Sequence, residues 1–148
     1  MLLAIITLGI VFDIMGVAVT AAEEPPLHAM SAKRIPGARQ AVRLLRHAPA
    51  VSNFCNDVIG DIAGTLSGAT GATVVFYLVK RYPLLHEDVV SLLMVALISA
   101  LTVGGKAVSK HFSIAKANWI AFQMGKVFAV LEGMLQRELL GAKNARRR

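Results

Sequence analysis

The sequence predicts an all-α membrane protein: three transmembrane helices, an amphipathic connector and a C-terminal juxtamembrane amphipathic helix. Hydrophobic residues make up 55% of the 148 residues and charged residues only 17%, whereas soluble domains carry about 25% charged residues. The mean hydropathy is +0.60, and three apolar runs stand out near residues 1–22, 50–79 and 88–105. Each is close to or above the ~20 residues that a helix needs to cross a bilayer. We expect one helical transmembrane domain, 1–140, and a basic, disordered tail, 141–148.

Residues 1–22 form the first apolar run, which we interpret as a transmembrane helix. A cleaved signal peptide is the alternative, because the small residues before Glu23 resemble a cleavage site. The helix is preferred since no lysine or arginine precedes the run, and Asp13 interrupts the apolar core that a signal peptide would need. Pro25 and Pro26 then end the helix, because proline lacks an amide donor and fixes φ.

A basic connector follows over residues 27–48, and a proline–glycine pair divides it. Its second half places apolar residues on one side of a helix and Arg39, Arg43 and Arg46 on the other. This pattern is typical of a helix that lies on the inner membrane surface. An ordinary solvated helix is the alternative that the pattern leaves open.

The charges outside the apolar runs predict the orientation. The connector and the residues after 106 are basic, whereas the loop 80–88 between the second and third spans is nearly balanced. Because basic segments stay in the cytoplasm, the sequence predicts three spans with the N-terminus outside and the C-terminus cytoplasmic. We expect this arrangement in the plasma (inner) membrane.

The last helix is predicted over residues 113–140, where Ser113 serves as the N-cap and apolar residues recur at helical spacing. Lys126 and Glu132 would be costly inside a bilayer. A juxtamembrane amphipathic helix is therefore preferred to a fourth span.

Residues 53–64 carry polar side chains that are unusual in a membrane span. At helical spacing Asn53, Asp57 and Asp61 share one stripe. Asn56 begins a neighbouring row that continues in glycines at four-residue intervals, which predicts close helix packing within or between chains. An ionised aspartate near the bilayer centre costs about 2.5–3.5 kcal/mol, so these carboxylates require a cation, a partner or water.

The polar residues of the first two spans predict a cation site made of oxygen ligands. Such ligands suit hard cations, Mg²⁺ or Na⁺, and no converging cysteine or histidine points to zinc or copper. The structural alternative is that the carboxylates pair with basic residues or water and hold the helices together. The predicted metal ligands are Thr20, Asn56, Asp57, Asp61, Asp13 and Glu23.

Three short motifs surround the first two spans. The first span closes with Thr-Ala-Ala-Glu at 20–23, the connector contains Gly-Ala-Arg-Gln-Ala at 37–41, and Ala-Val-Ser-Asn-Phe-Cys-Asn-Asp-Val-Ile-Gly-Asp-Ile occupies 50–62. Together they resemble the transmembrane domain of the cyclin M/CorC (CorB) family of magnesium transporters.

That resemblance implies a homodimer whose first-helix hydroxyls, second-helix amide and backbone carbonyls hold the ion. The matching positions are Thr20 and Asn56, with Asp61 near the family's second asparagine. The chain departs from the family pattern at Ala22, which replaces a second hydroxyl, in its shorter connector, and in carrying no regulatory CBS pair.

Two functional hypotheses follow. The first is a compact membrane protein that binds or moves Mg²⁺-like cations by alternating access. The second is a non-transporting membrane scaffold that docks a cytoplasmic partner through helix 113–140. An enzyme is not expected, since the sequence has no Walker loop, nucleophile elbow or HExxH motif. Nucleic-acid binding is not expected either, because the net charge of +7 gathers beside apolar spans.

Overall fold

The computed structural model describes residues 1–84 and 86–145, with the side chains of residues 1–84 and 86–134. Every regular element in this part of the chain is helical, which confirms the all-α prediction. In chain order the elements are α1 (Leu2–Ala21), α2 (Glu24–Ala32), α3 (Ala38–Arg46), α4 (Ala48–Asn53), a π-helical segment (Phe54–Ile59), α5 (Gly60–Arg81), α6 (Glu87–Ala115) and α7 (Ala117–Ala145).

Among the described residues, three helices are long and apolar enough to cross a membrane, as the sequence predicts. They are α1, the unbroken helix Ala48–Arg81 formed by α4, the π segment and α5, and α6. The second has 34 residues and the third 29. At 1.5 Å per residue they measure about 51 and 44 Å, more than the ~30 Å apolar core of a bilayer. Both therefore extend beyond that core.

Helix α1 lies antiparallel to the second span. A Cβ atom on Gly9 would lie 3.0 Å from Cβ of Ala63, and one on Gly16 would meet the side chain of Asn56. Because both contacts are made at glycines, the two backbones approach closely along most of α1. This packing brings Asn56 to the surface of α1.

The buried row of α5 is a neighbour of the glycine row that the sequence singles out. Gly64 and Gly68 have no atom within 4 Å of an added Cβ, so they face open space. The row that packs within the chain is Ala63, Ser67, Gly71 and Val75. Contact between chains through Gly64 and Gly68, and hence the homodimer, stays a prediction.

The main apolar core lies where the C-terminal end of α1 meets α3 and α7. It consists of Ala18, Val19, Leu27, Ala41, Val42, Leu44, Leu45, Ile120, Ala121 and Met124. The apolar side of α3 is therefore covered by protein and does not enter lipid. Its arginines, Arg39, Arg43 and Arg46, are all exposed.

A close backbone contact joins α3 to α7. Gly37 precedes α3 with φ at +87°, a conformation that L side chains rarely adopt. Gly125 of α7 lies against the Gly37 carbonyl, and a Cβ added to it would be 2.6 Å from the Ala41 amide nitrogen. The junction therefore depends on glycine on both sides.

The prediction that Ser113 caps the last helix is wrong. Helix α6 continues to Ala115, and the break before α7 comes at Lys116. Ser113 is fully buried, and its hydroxyl donates to the Ser109 carbonyl at 2.9 Å. A serine can bond the carbonyl one turn earlier in its own helix, so it need not mark a helix start. Helix α7 enters the predicted tail 141–148, of which residues 146–148 lie outside the described residues.

Candidate functional site

The unusual polar residues of the second span lie on the π-helical segment Phe54–Ile59. In a π-helix each amide bonds the carbonyl five residues back, so one turn holds an extra residue. Asn56 and Asp57 consequently point in directions that regular α-helical spacing does not give. Single π turns inside α-helices are frequent at functional sites.

Asn56 faces α1 and is the best-defined polar group of the site. Its Nδ2 donates to Oγ of Ser52 at 3.2 Å. Its Oδ1 is buried and has no hydrogen-bond partner among the described residues. A Cβ on Gly16 would be 2.8 Å from Asn56 Cγ, so only glycine leaves room for this amide. A buried acceptor without a partner costs about 1–3 kcal/mol, which a ligand at this oxygen would offset.

Thr20, the first-helix hydroxyl among the predicted ligands, lies one helical turn beyond Gly16. Because α1 runs antiparallel to the second span, with Gly16 against Asn56, Thr20 is expected at the level of Ser52. The Thr20 side chain is exposed. The Thr20 hydroxyl donates to the Val17 carbonyl at 2.9 Å. Its oxygen keeps lone pairs for a cation or for water.

Three of the predicted carboxylates do not join this group. Asp57 and Asp61 are exposed on the outer side of the second span. Glu23 is also exposed, and its backbone amide donates to Oδ1 of Asn118 at 2.7 Å. Within residues 1–84 and 86–134, no three side chains from Asp, Glu, His and Cys are close enough to share a metal ion. The structure thus separates the inner amide from an outer carboxylate stripe.

Asp13, the fourth predicted carboxylate, is paired with a lysine. Its Oδ1 lies 3.4 Å from Nζ of Lys106 on α6, and the Asp13 and Lys106 side chains are 15% and 33% exposed. A Cβ on Gly60 would lie 3.4 Å from the same Nζ. The ion pair therefore joins α1 to α6, and its lysine also contacts the second span at Gly60.

Lys106 is the residue that sequence reasoning missed. It follows the third apolar run directly and was grouped with the basic residues of the C-terminal segment. The preceding Gly105 is the available signal, because Ile10 of α1 packs where a Gly105 side chain would be. A small residue lets another helix approach, and a long side chain next to it can then reach across to that helix.

Comparison with known proteins finds no match for this chain. No protein-family model, curated protein or solved structure matches the chain. The residues themselves carry the functional evidence: a buried amide oxygen, the Ser52 hydroxyl bonded to the same amide, and an ion pair between spans. Such oxygens accept hydrogen bonds or coordinate a hard cation.

Proposed function

We propose that this membrane protein binds a hard cation, Mg²⁺ in the first place, as a step in moving it across the bilayer. Na⁺ is the alternative ion, or the ion to which transport is coupled. The observation that supports the proposal is the buried Asn56 Oδ1 without a hydrogen-bond partner, held at the crossing of α1 and the π segment. Resemblance to the cyclin M/CorC transporters points to the same amide.

The oxygens around Asn56 suit a partly hydrated ion. Mg²⁺ gives up its water reluctantly and commonly takes only a few protein ligands. Asn56, the hydroxyls of Ser52 and Thr20, and backbone carbonyls of the π segment supply such a partial set. In this proposal Asp57 and Asp61 attract the cation to the second span rather than enclose it, because both face outward.

Mg²⁺ is expected to raise the melting temperature of the detergent-solubilised protein, and Asn56→Ala to abolish most of that rise. At about 100 times its Kd, a ligand specific to the folded state adds about 2.7 kcal/mol to the free energy of unfolding. Asn53→Ala is the matched control, since Asn53 is an exposed amide one turn away. We expect it to keep the full Mg²⁺ response.

The same melting series decides against the proposal in two cases. If the wild type melts identically with and without Mg²⁺, Ca²⁺ or Na⁺, the protein has no such cation site. If Asn53→Ala and Asn56→Ala lose the response equally, the amide at the helix crossing is not the ligand.

Asp57→Asn and Asp61→Asn are expected to lower Mg²⁺ flux into proteoliposomes while leaving the melting temperature nearly unchanged. Folding tolerates both changes because the two side chains are exposed, and replacing a carboxylate by an amide removes a charge that is costly in a membrane span. Flux falls because the negative charge that attracts the cation is removed. Unchanged flux in the double variant would show that these carboxylates take no part in transport.

The proposed orientation places Arg39 in the cytoplasm and Tyr82 outside. Both side chains are exposed, whereas the native Cys55 is buried. In a Cys55→Ala background, a membrane-impermeant thiol reagent applied to intact cells should label Tyr82→Cys but not Arg39→Cys. The reverse pattern would invert the topology. The sequence also predicts a cytoplasmic tail at Arg146, a residue that lies outside the described part of the chain.

A membrane scaffold is the second candidate function, favoured by one observation on α7. Several large apolar side chains of this helix are exposed, among them Trp119, Phe128 and Leu131. They could bind a cytoplasmic partner. A protein that shows no cation response and no flux, and that loses a captured partner on Trp119→Ala and Phe128→Ala, would fit this function instead.

A further inference from the structure

A pocket lined mainly by cationic and polar side chains lies between α2 and α3. Its volume is about 400 Å³, within the range of small-molecule sites. The residues that line it are His28, Ser31, Arg39, Val42, Arg43 and Arg46. A second pocket of about 510 Å³ shares Arg39 and Arg43 and reaches Glu132 of α7.

The fold forces the three arginines onto one side of α3. They stand at positions i, i+4 and i+7, and the opposite side of the helix is buried in the core. Like charges at this spacing repel and destabilise a helix. The described ion pairs near the pocket are weak: Glu132 lies 3.5 Å from Arg43, and Glu24 lies 3.2 Å from His28. The pocket therefore keeps an excess of positive charge.

The pocket is also tied to the level of the membrane surface. Helix α2 begins at Glu24, shortly after α1 ends at Ala21, and α3 ends at Arg46, two positions before the second span begins at Ala48. Two residues reach at most about 7 Å. Both ends of this α2–α3 unit are thus attached to helices that are apolar enough to span a bilayer, and lipid headgroups lie at that level.

We propose that the pocket binds the phosphate group of an anionic lipid. Guanidinium groups match phosphate oxygens with paired, charge-assisted hydrogen bonds. Arg39 and Arg46 act as the principal donors, and Ser31 adds a hydroxyl. The buried Val42 forms an apolar wall at the base of the pocket. The lipid is taken as the source because the unit is attached to the spans at both ends.

The test titrates the full chain, in non-ionic detergent, with short-chain phosphatidylglycerol. Binding is measured as the rise in melting temperature with lipid concentration. Near a membrane surface each arginine contributes about 1 kcal/mol to anionic-lipid binding, so Arg39→Gln/Arg46→Gln should weaken binding roughly thirtyfold. Lys80→Gln/Arg81→Gln is the matched control, because it removes the same charge at the other end of the second span. It should bind within about twofold of wild type.

Further arms separate the possible ligands. Short-chain phosphatidylcholine should bind far more weakly than phosphatidylglycerol, and inorganic phosphate should compete only at much higher concentration. Arg39→Lys/Arg46→Lys, which keeps the charge and the fold, should lose only part of the affinity, because lysine cannot form the paired hydrogen bonds. The proposal is overturned if the two double glutamine variants weaken binding equally. It is also overturned if inorganic phosphate or a glutamate-rich peptide binds the pocket as tightly as the lipid.

Discussion

Gly125→Ala is expected to destabilise the protein strongly, although it adds a single methyl group. The new Cβ would meet the Gly37 carbonyl and would lie 2.6 Å from the Ala41 nitrogen. The Gly37 oxygen and the Ala41 nitrogen are backbone atoms, and the third neighbour, the Ala41 methyl group, cannot rotate away. No side-chain rotation therefore relieves the contact. Overpacking of this kind costs about 1–3 kcal/mol, and the cost rises when two backbones must separate. We expect a clear fall in melting temperature and loss of the contact between α3 and α7.

Gly133→Ala provides the control for that substitution on the same helix. An added Cβ at Gly133 has no atom within 4 Å, and alanine favours a helix over glycine by roughly 0.5–1 kcal/mol. This variant should melt at or above the wild-type temperature. Equal melting of the two variants would show that α7 does not pack on α3 through Gly125.

The three spans could be predicted because hydropathy is a property of each helix alone. Length and apolar content were enough to place them. The prediction that Pro25 and Pro26 end the first helix was wrong: α1 ends at Ala21, and the prolines lie in the first turn of α2, where a missing amide donor costs nothing. The start of the last helix was misplaced because Ser113 carries the chemistry of a cap and equally satisfies its hydroxyl inside α6. The distinction depends on what packs around the serine, which local pattern does not encode.

The candidate site was harder to predict because it depends on how helices face each other. The i, i+4 rule predicted a shared face for Asn56 and the glycine row, but the π segment changes the spacing before α5 begins. Packing then selects the Ala63 row over its neighbour. Asn56 was placed in the site by its residue type and by family resemblance, whereas its orphan oxygen became visible only beside Gly16.

Breaking the Asp13–Lys106 pair is expected to produce the largest loss of stability among single substitutions in the spans. Removing one partner of a fully buried ion pair costs about 3–5 kcal/mol. The Asp13–Lys106 pair is partly buried, so we expect a smaller loss, which still arises because one charge is left without its partner. Lys106→Met should cost more than Asp13→Leu: the Asp13 side chain is only 15% exposed, whereas Lys106 is 33% exposed and has a long stem that can reach toward water. Unfolding in detergent, followed by circular dichroism, measures both.

The double variant Asp13→Leu/Lys106→Met gives the prediction its sharpest form. It leaves no unpaired charge, so its free energy of unfolding should return close to the wild-type value. Asp88→Asn is the control, since this exposed residue in the first turn of α6 should contribute less than about 1 kcal/mol.

Mg²⁺ adds a functional readout. If Asp13 also coordinates the cation, as the sequence predicts, the Lys106 ammonium competes with Mg²⁺, and Lys106→Met should enlarge the Mg²⁺-dependent rise in melting temperature. An unchanged rise would leave Asp13 as a purely structural partner of Lys106, and single variants as stable as wild type would show that the pair does not hold the spans together.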